Sequence, residues 1–186
     1  MIEVRFHGRG GQGAQVASKV LAVAFFHEGF YVQSFPAFGV ERRGAPVMAF
    51  LRVDRKPIQL RVNIYEPDHI VVLDPTLIGA IDVISGLKKK GWILINSGHS
   101  PETFQHLKDF QIATVDATGI AIRNGLGSRT SPIVNTAILG AFSKVTGLVG
   151  IDSVALAIRE EVPGKKVENA QAAREAYQEV KVKGQG

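Results

Sequence analysis

The sequence predicts an α/β fold, a three-layer α/β/α sandwich on a mixed, mostly parallel sheet with one antiparallel hairpin. Three observations lead there. Short apolar runs alternate with amphipathic stretches along most of the chain. A glycine-rich turn, Gly8-Arg9-Gly10-Gly11-Gln12-Gly13, separates the first strand-like run from the first helix-like run. Two further strand-like runs flank the turn Asp54-Arg55-Lys56-Pro57. With 186 residues, 45% of them hydrophobic, and no repeat or linker, the chain reads as a single domain over 1–186.

Residues 2–7 read as a strand entering the glycine turn, with Ile2, Val4 and Phe6 on one face. Residues 12–28 read as a helix, small at its start (Ala14, Ala17, Ser18) and apolar at Val16, Val20, Leu21, Ala24 and Phe25, with Gly29 as its stop. Residues 30–35 complete a βαβ opening. The loop 36–46 is rich in Pro, Gly and aromatics and holds Glu41-Arg42-Arg43-Gly44. Residues 47–53 are strand-like, and Ile58, Leu60, Val62 and Ile64 alternate with polar residues, so 47–53 and 58–64 read as the hairpin. Residues 69–73, 92–95 and 112–115 read as buried strands ending at Asp74, Asn96 and Asp116. Helices are expected at 76–87, 101–108, 117–124, 133–145, 151–160 and about 167–180. If the five strands 2–7, 30–35, 69–73, 92–95 and 112–115 run parallel, their C-terminal ends share one edge. Ligands of open α/β sheets bind at that edge.

Composition narrows the function. With no cysteine, disulfides, a cysteine nucleophile and iron–sulfur clusters ligated in the ordinary way by this chain are excluded. There is no signal-peptide pattern, and the longest apolar run, residues 20–26, is too short to span a bilayer, so a cytoplasmic protein with no membrane partner is expected. The net charge of +5 suits an anionic ligand or an acidic partner. Much of the excess lies in Lys88-Lys89-Lys90, Lys165-Lys166 and Lys181/Lys183, which read as solvated helix ends. No aromatics interleave with these runs, so no nucleic-acid partner is expected.

The glycine turn suits an anion: glycine lets the backbone approach a phosphate, and a helix start supplies free N–H donors. A nicotinamide-type site also needs an acidic residue roughly 20 residues on, at the end of the second strand. Gln33 and Ser34 stand there, while Glu28 falls too early and Glu41 too late. No Gly-Lys-Ser/Thr follows the glycines, so the turn is not a P-loop. A tight strand–helix turn with no ligand is the plain alternative. In the following loop Arg42 and Arg43 present planar forks for phosphate or carboxylate, with Glu41 placed to orient one of them; a solvated loop or an intersubunit salt bridge fits the same residues. The histidines His7, His27, His69, His99 and His106 form no close helical pair, so no metal site is expected. Asp74 and Asp116 read as helix caps. No nucleophile, base and oxyanion hole assemble, so no catalytic residue is assigned and the chain reads as part of a catalyst.

Two stretches together go further. Residues 2–13 (IEVRFHGRGGQG) and 34–58 (SFPAFGVERRGAPVMAFLRVDRKPI) resemble the gamma subunit of 2-oxoacid:ferredoxin oxidoreductases, in the pyruvate and ketoisovalerate branch. Pro67-Asp68, Leu73-Asp74-Pro75-Thr76-Leu77 and a late Glu168-Asn169 continue the pattern. The resemblance implies a subunit, inactive alone, of an enzyme that oxidatively decarboxylates a 2-oxoacid to an acyl-CoA and passes electrons to ferredoxin. It implies alpha-, beta- and delta-type partner subunits that carry thiamine diphosphate and the iron–sulfur clusters. It also implies contact with coenzyme A, whose phosphates suit Gly8, Arg9, Gly10, Gly11, Gln12 and Gly13 together with Arg42 and Arg43. A stand-alone dinucleotide-binding reductase and a purely structural assembly subunit are the alternatives.

Overall fold

A computed structural model describes residues 1–37 and 42–183. In chain order it holds β1 (Ile2–Arg9), α1 (Ala14–His27), β2 (Tyr31–Pro36), β3 (Pro46–Asp54), β4 (His69–Val72), β5 (Trp92–Asn96), β6 (Gln111–Val115) and α2 (Ala117–Arg123). The small strands β7 (Gly127–Ser128) and β8 (Ser131–Pro132) follow, then α3 (Ala137–Thr146), α4 (Ile151–Glu161), α5 (Lys166–Glu179) and β9 (Lys181–Val182). The main sheet has seven strands in the order β2-β3-β1-β4-β5-β6-β9, and β7 and β8 pair separately.

The ladder β1-β4-β5-β6 is parallel. Strand β3 runs antiparallel to both β1 and β2, so β2 points the same way as β1 although the two are not neighbours. The five expected strands therefore do end at one edge.

The antiparallel hairpin lies elsewhere than expected. It is formed by β2 and β3, and no strand occupies 58–64. With β1 on one side and β2 on the other, β3 has no free edge for a further strand. The alternation at 58–64 does not mark one buried face either: Ile64 is buried, but Leu60 and Val62 are 45% and 56% exposed. The segment crosses the sheet, and side chains of β2 and β3 bond its carbonyls. Gln33 donates to the Leu60 carbonyl at 2.9 Å and Arg52 to that of Asn63 at 3.4 Å.

Alternation along the strands divides the core in two. Val4, Phe6, Leu51, Val53, Val71, Leu73, Leu94, Ala113 and Val115 pack beneath the α-helices in one cluster. Side chains of α1 through α5 contribute to that same cluster, so the described α-helices share one face. Beneath the other face lie Ile70, Val72, Ile93, Ile95 and Ile112 with Leu87, Phe104 and Leu107. That face is covered by irregular segments and the 3-10 turns Pro75–Gly79 and Pro101–Leu107. Proline opens each turn and its φ suits a first helical turn. The helix expected at 76–87 is reduced to the first of these turns. On the helical face α5 packs through Ala170, Ala172, Ala173 and Ala176. Gly140 of α3 sits so close to the Ala173 carbonyl that any Cβ there would collide with it.

The second face also holds buried charge. Arg52 is 1% exposed, and its Nε donates to Glu3 at 2.8 Å, its Nη1 to Gln33 at 3.1 Å. Its guanidinium lies 5.3 Å from the Phe35 ring centroid. Next to this network Arg5 Nε donates to His7 Nε2 at 3.0 Å, and Arg5 Nη2 reaches the carbonyls of Val83 and Ser85 at 3.0 and 2.6 Å. Burial, and then the charge of Arg5, push the His7 imidazole down to about 3, against a smaller opposing effect of the Val83 carbonyl. The neutral ring is therefore the native form, whereas the unfolded chain protonates His7 near its ordinary value of about 6.5. Between these values the unfolded state binds more protons, so stability falls as pH drops below about 6.5. Thermal melts at pH 7.5 and 5 should show this slope, and His7→Gln, which keeps an acceptor for Arg5, should flatten it. His69, also lowered by burial, supplies part of the slope that remains.

Candidate functional site

The site is built where β1 ends. Because β3 runs against β1, the register sets Pro46 opposite Arg9 and delivers residues 42–45 to the end of β1. Gly10 and Arg43 form a parallel bridge. Gly10 donates to the Ala45 carbonyl at 2.9 Å and Gly44 donates back to the Gly10 carbonyl at 3.1 Å. The glycine turn and the arginine loop, separate in sequence, are thus one backbone unit. A Cβ at Gly10 would collide with the Arg42 carbonyl, so this glycine is required by the neighbouring chain. Gly13, the residue before α1, has φ +77° and its Cβ position is taken by the Asn135 side chain.

Two expected ligand groups are engaged internally. Arg9 donates from Nε to Asp74 at 2.9 Å, from Nη2 to Thr76 at 2.8 Å and from Nη1 to the Gly44 carbonyl at 3.1 Å. Gln12 accepts from the Arg9 N–H at 2.7 Å and donates to Asp74 at 3.2 Å. Asp74 also caps the following 3-10 turn, accepting from the Thr76 N–H at 3.0 Å. Partial burial alone would push the Asp74 carboxyl up, but its bonds from Thr76, Gln12 and Arg9 prevail and hold it below the usual carboxylate range. The Arg9 charge is therefore neutralised within the fold. Arg42 and Arg43 are exposed and in no ion pair among the described residues. Glu41, expected to orient one of them, lies outside the described residues.

Beside the turn is a cleft of about 400 Å³, lined by Gly11, Gln12, Gly13, Val16, Leu73, Asn96, Thr118 and residues 130–135. The start of α1 faces it, carrying no side-chain cap. The first N–H groups of a helix have no partner within the helix, and they carry the positive end of its dipole. Asn96 forms part of the floor, donating to the Leu73 carbonyl and to Thr118, each at 3.0 Å, and accepting from the Thr118 N–H at 3.2 Å. Asn135 donates to the Gly13 carbonyl at 3.4 Å, and its Oδ1 is buried without a partner. Sequence reading placed Asn96 at this edge but missed Thr118 and Asn135. Asn135 stands 122 residues from Gly13, and no local pattern marks such a contact. Asp116 is a cap, as expected, accepting from the Gly119 N–H at 2.8 Å.

A family model described as pyruvate ferredoxin/flavodoxin oxidoreductase matches residues 3–179. The chain belongs to this family. It is 56% identical over 186 residues, 98% of each chain, to the pyruvate/ketoisovalerate oxidoreductases common subunit gamma of Pyrococcus furiosus. It is 55% identical to the pyruvate synthase subunit PorC of Methanothermobacter marburgensis, over 99% of this chain and 100% of that one. The crystal structure of the PORC subunit of Thermotoga maritima pyruvate oxidoreductase superposes with a TM-score of 0.81 at 36% identity, covering 98% of both chains. The chain is a gamma subunit of the 2-oxoacid:ferredoxin oxidoreductase family, a part of an enzyme that works beside other subunits.

In this family member the glycines of the turn are unequal. Gly11→Ala meets no neighbour but must hold φ +96°, a cost of about 1–2 kcal/mol. Gly10→Ala has no positive φ to hold, but its Cβ forces apart the bridge to Arg43 and should cost more. Denaturant titration of the two variants checks the order. Asp74→Ala removes the acceptor of Arg9 Nε and of the Gln12 amide and should cost about 1–3 kcal/mol by the same measurement.

Proposed function

We propose that this gamma subunit contributes to oxidative decarboxylation of a 2-oxoacid, pyruvate by its likeness to pyruvate synthase subunits, to acyl-CoA and CO2, with ferredoxin as electron acceptor, and that its glycine edge meets coenzyme A. The observation that carries the second part is the bridge between Gly10 and Arg43. It ties two exposed arginines to the same turn that leads into the uncapped start of α1 and lines the cleft. A ligand with phosphates at one end and amides along its arm suits this arrangement. Arg42 and Arg43 supply planar forks for phosphate, and the helix start and the turn backbone offer N–H donors. Arg9 and Gln12 act one step back, fixing the turn through Asp74.

The partner subunits take the redox chemistry. The chain has no thiolate for a cluster, and its described residues hold no group of three or more His, Asp or Glu side chains that fits a metal. Thiamine diphosphate and the clusters are accordingly assigned to alpha-, beta- and delta-type subunits, and the assembly to the cytoplasm. No helix of the described residues is long and apolar enough to cross a membrane. Against a stand-alone dinucleotide reductase stands the insertion of β3. It moves the end of β2 two strand spacings, about 9–10 Å, from β1. The Gln33 side chain there is already committed to Arg52 and Leu60.

In the assembled enzyme, the double variant Arg42→Ala/Arg43→Ala should weaken coenzyme A by at least about tenfold, or 1.4 kcal/mol, in isothermal titration. Unchanged affinity would remove the arginines from the ligand site. Loss of co-purification with the other subunits would make the loop an interface instead.

A further inference from the structure

The sheet has two outer strands, and they are built differently. At one end β9 is two residues long, Lys181–Val182, followed by Lys183. Shortness and lysine are the devices that keep a sheet edge from recruiting another strand. At the other end β2 is six residues, YVQSFP, with no charged side chain. Its hydrogen-bond phase is set by Ala37, which donates to the Met48 carbonyl at 2.9 Å, in register with the pairs Phe35–Phe50, Gln33–Arg52 and Tyr31–Asp54. In an antiparallel pair the bonded residues alternate. Tyr31, Gln33 and Phe35 therefore turn their backbone groups inward to β3. Val32 and Ser34 turn theirs outward, where no strand pairs with them among the described residues.

Along this edge runs a groove of about 490 Å³ lined by Gln33, Ser34, Phe35, Arg61 and Asn63. Its strand wall is the middle of β2, and its other wall is the segment that crosses the sheet. Arg61 is exposed and in no ion pair among the described residues, and none of the described residues that line the groove is acidic. We infer that the free edge of β2 and this groove receive an extended, carboxylate-bearing segment of a partner subunit as an added strand. Main-chain bonds to Val32 and Ser34 give the register, and Arg61 meets the carboxylate. A second copy of β2 in the same place would bring a second Arg61 and no carboxylate, so charge favours a partner of opposite sign. The inference rests on the chain working as one subunit of a larger enzyme.

Hydrogen exchange on the isolated chain and on the assembled enzyme tests this. The Val32 and Ser34 amides should exchange roughly 100-fold more slowly in the assembly. Ser34→Pro deletes the outward N–H without touching a bond to β3, a placement that edge strands accept. It should weaken assembly roughly tenfold or more relative to Ser34→Ala, which loses the same Oγ bonds to Ser18 and Gln15 but keeps the N–H, and Arg61→Glu should weaken assembly of the parent chain by a similar factor. Circular dichroism of the isolated variants checks their folding, and if Ser34→Pro fails there, Arg61→Glu and the amide rates decide. Equal amide rates in the two states overturn the inference, and so does full assembly of both folded variants. A dimer of the isolated chain in which these amides are already slow overturns it in favour of a second copy. If the parent chain does not assemble with partner subunits at all, the subunit reading fails first and this inference with it.

Discussion

Strand β3 lies between β1 and β2 and runs against both, and the joining of the glycine turn to the arginine loop depends on that insertion. A strand entering from the opposite direction begins where its neighbours end. The loop ahead of β3 is therefore delivered to the last residues of β1, and Gly10 becomes a glycine because the Arg42 carbonyl occupies the space of its side chain. Insertion also takes both edges of β3, which turns residues 58–64 across the sheet. Their carbonyls there satisfy Arg52 and Gln33. A guanidinium buried this deeply is tolerated only when its donors are met. Glu3, Gln33 and Asn63 meet them, while Phe35 stacks alongside.

Much of this was legible in the residues. The strands carry strong period-two or continuous apolar patterns, and the C-terminal helices carry clear apolar stripes, so elements and shared edge were readable. The glycine and arginine stretches were recognised as a pair, and the backbone joins them. The hairpin partner was misplaced because the alternation at 58–64 mimics a half-buried strand, while its exposed members face solvent over a polar sheet face. Buried charge was hidden for a similar reason. Arg5, His7 and Arg52 look like the polar side of an amphipathic strand, and only the covering segments reveal them as interior.

The chemistry assigned to the edge is a division of labour between charges. Asp74 holds Arg9, and together with Gln12 and Thr76 it braces the turn. The exposed cations Arg42 and Arg43 stand on the loop beyond. The cleft itself is lined by amides, hydroxyls and small apolar groups. Such a surface distinguishes ligands by shape and hydrogen-bond pattern more than by net charge.

The sheet order also sets a timetable for synthesis. Strand β1 is made before the other described strands yet lies inside the sheet, and Val4 pairs with His69, so its parallel ladder waits for a long stretch of chain to emerge. The antiparallel β2–β3 pair needs far less chain and can form while that stretch is still being made. At the other end, α5 seats its alanines against α3 only after nearly the whole described chain is present. Until then the apolar face of α3 is uncovered, the interval in which a nascent chain is most open to wrong partners.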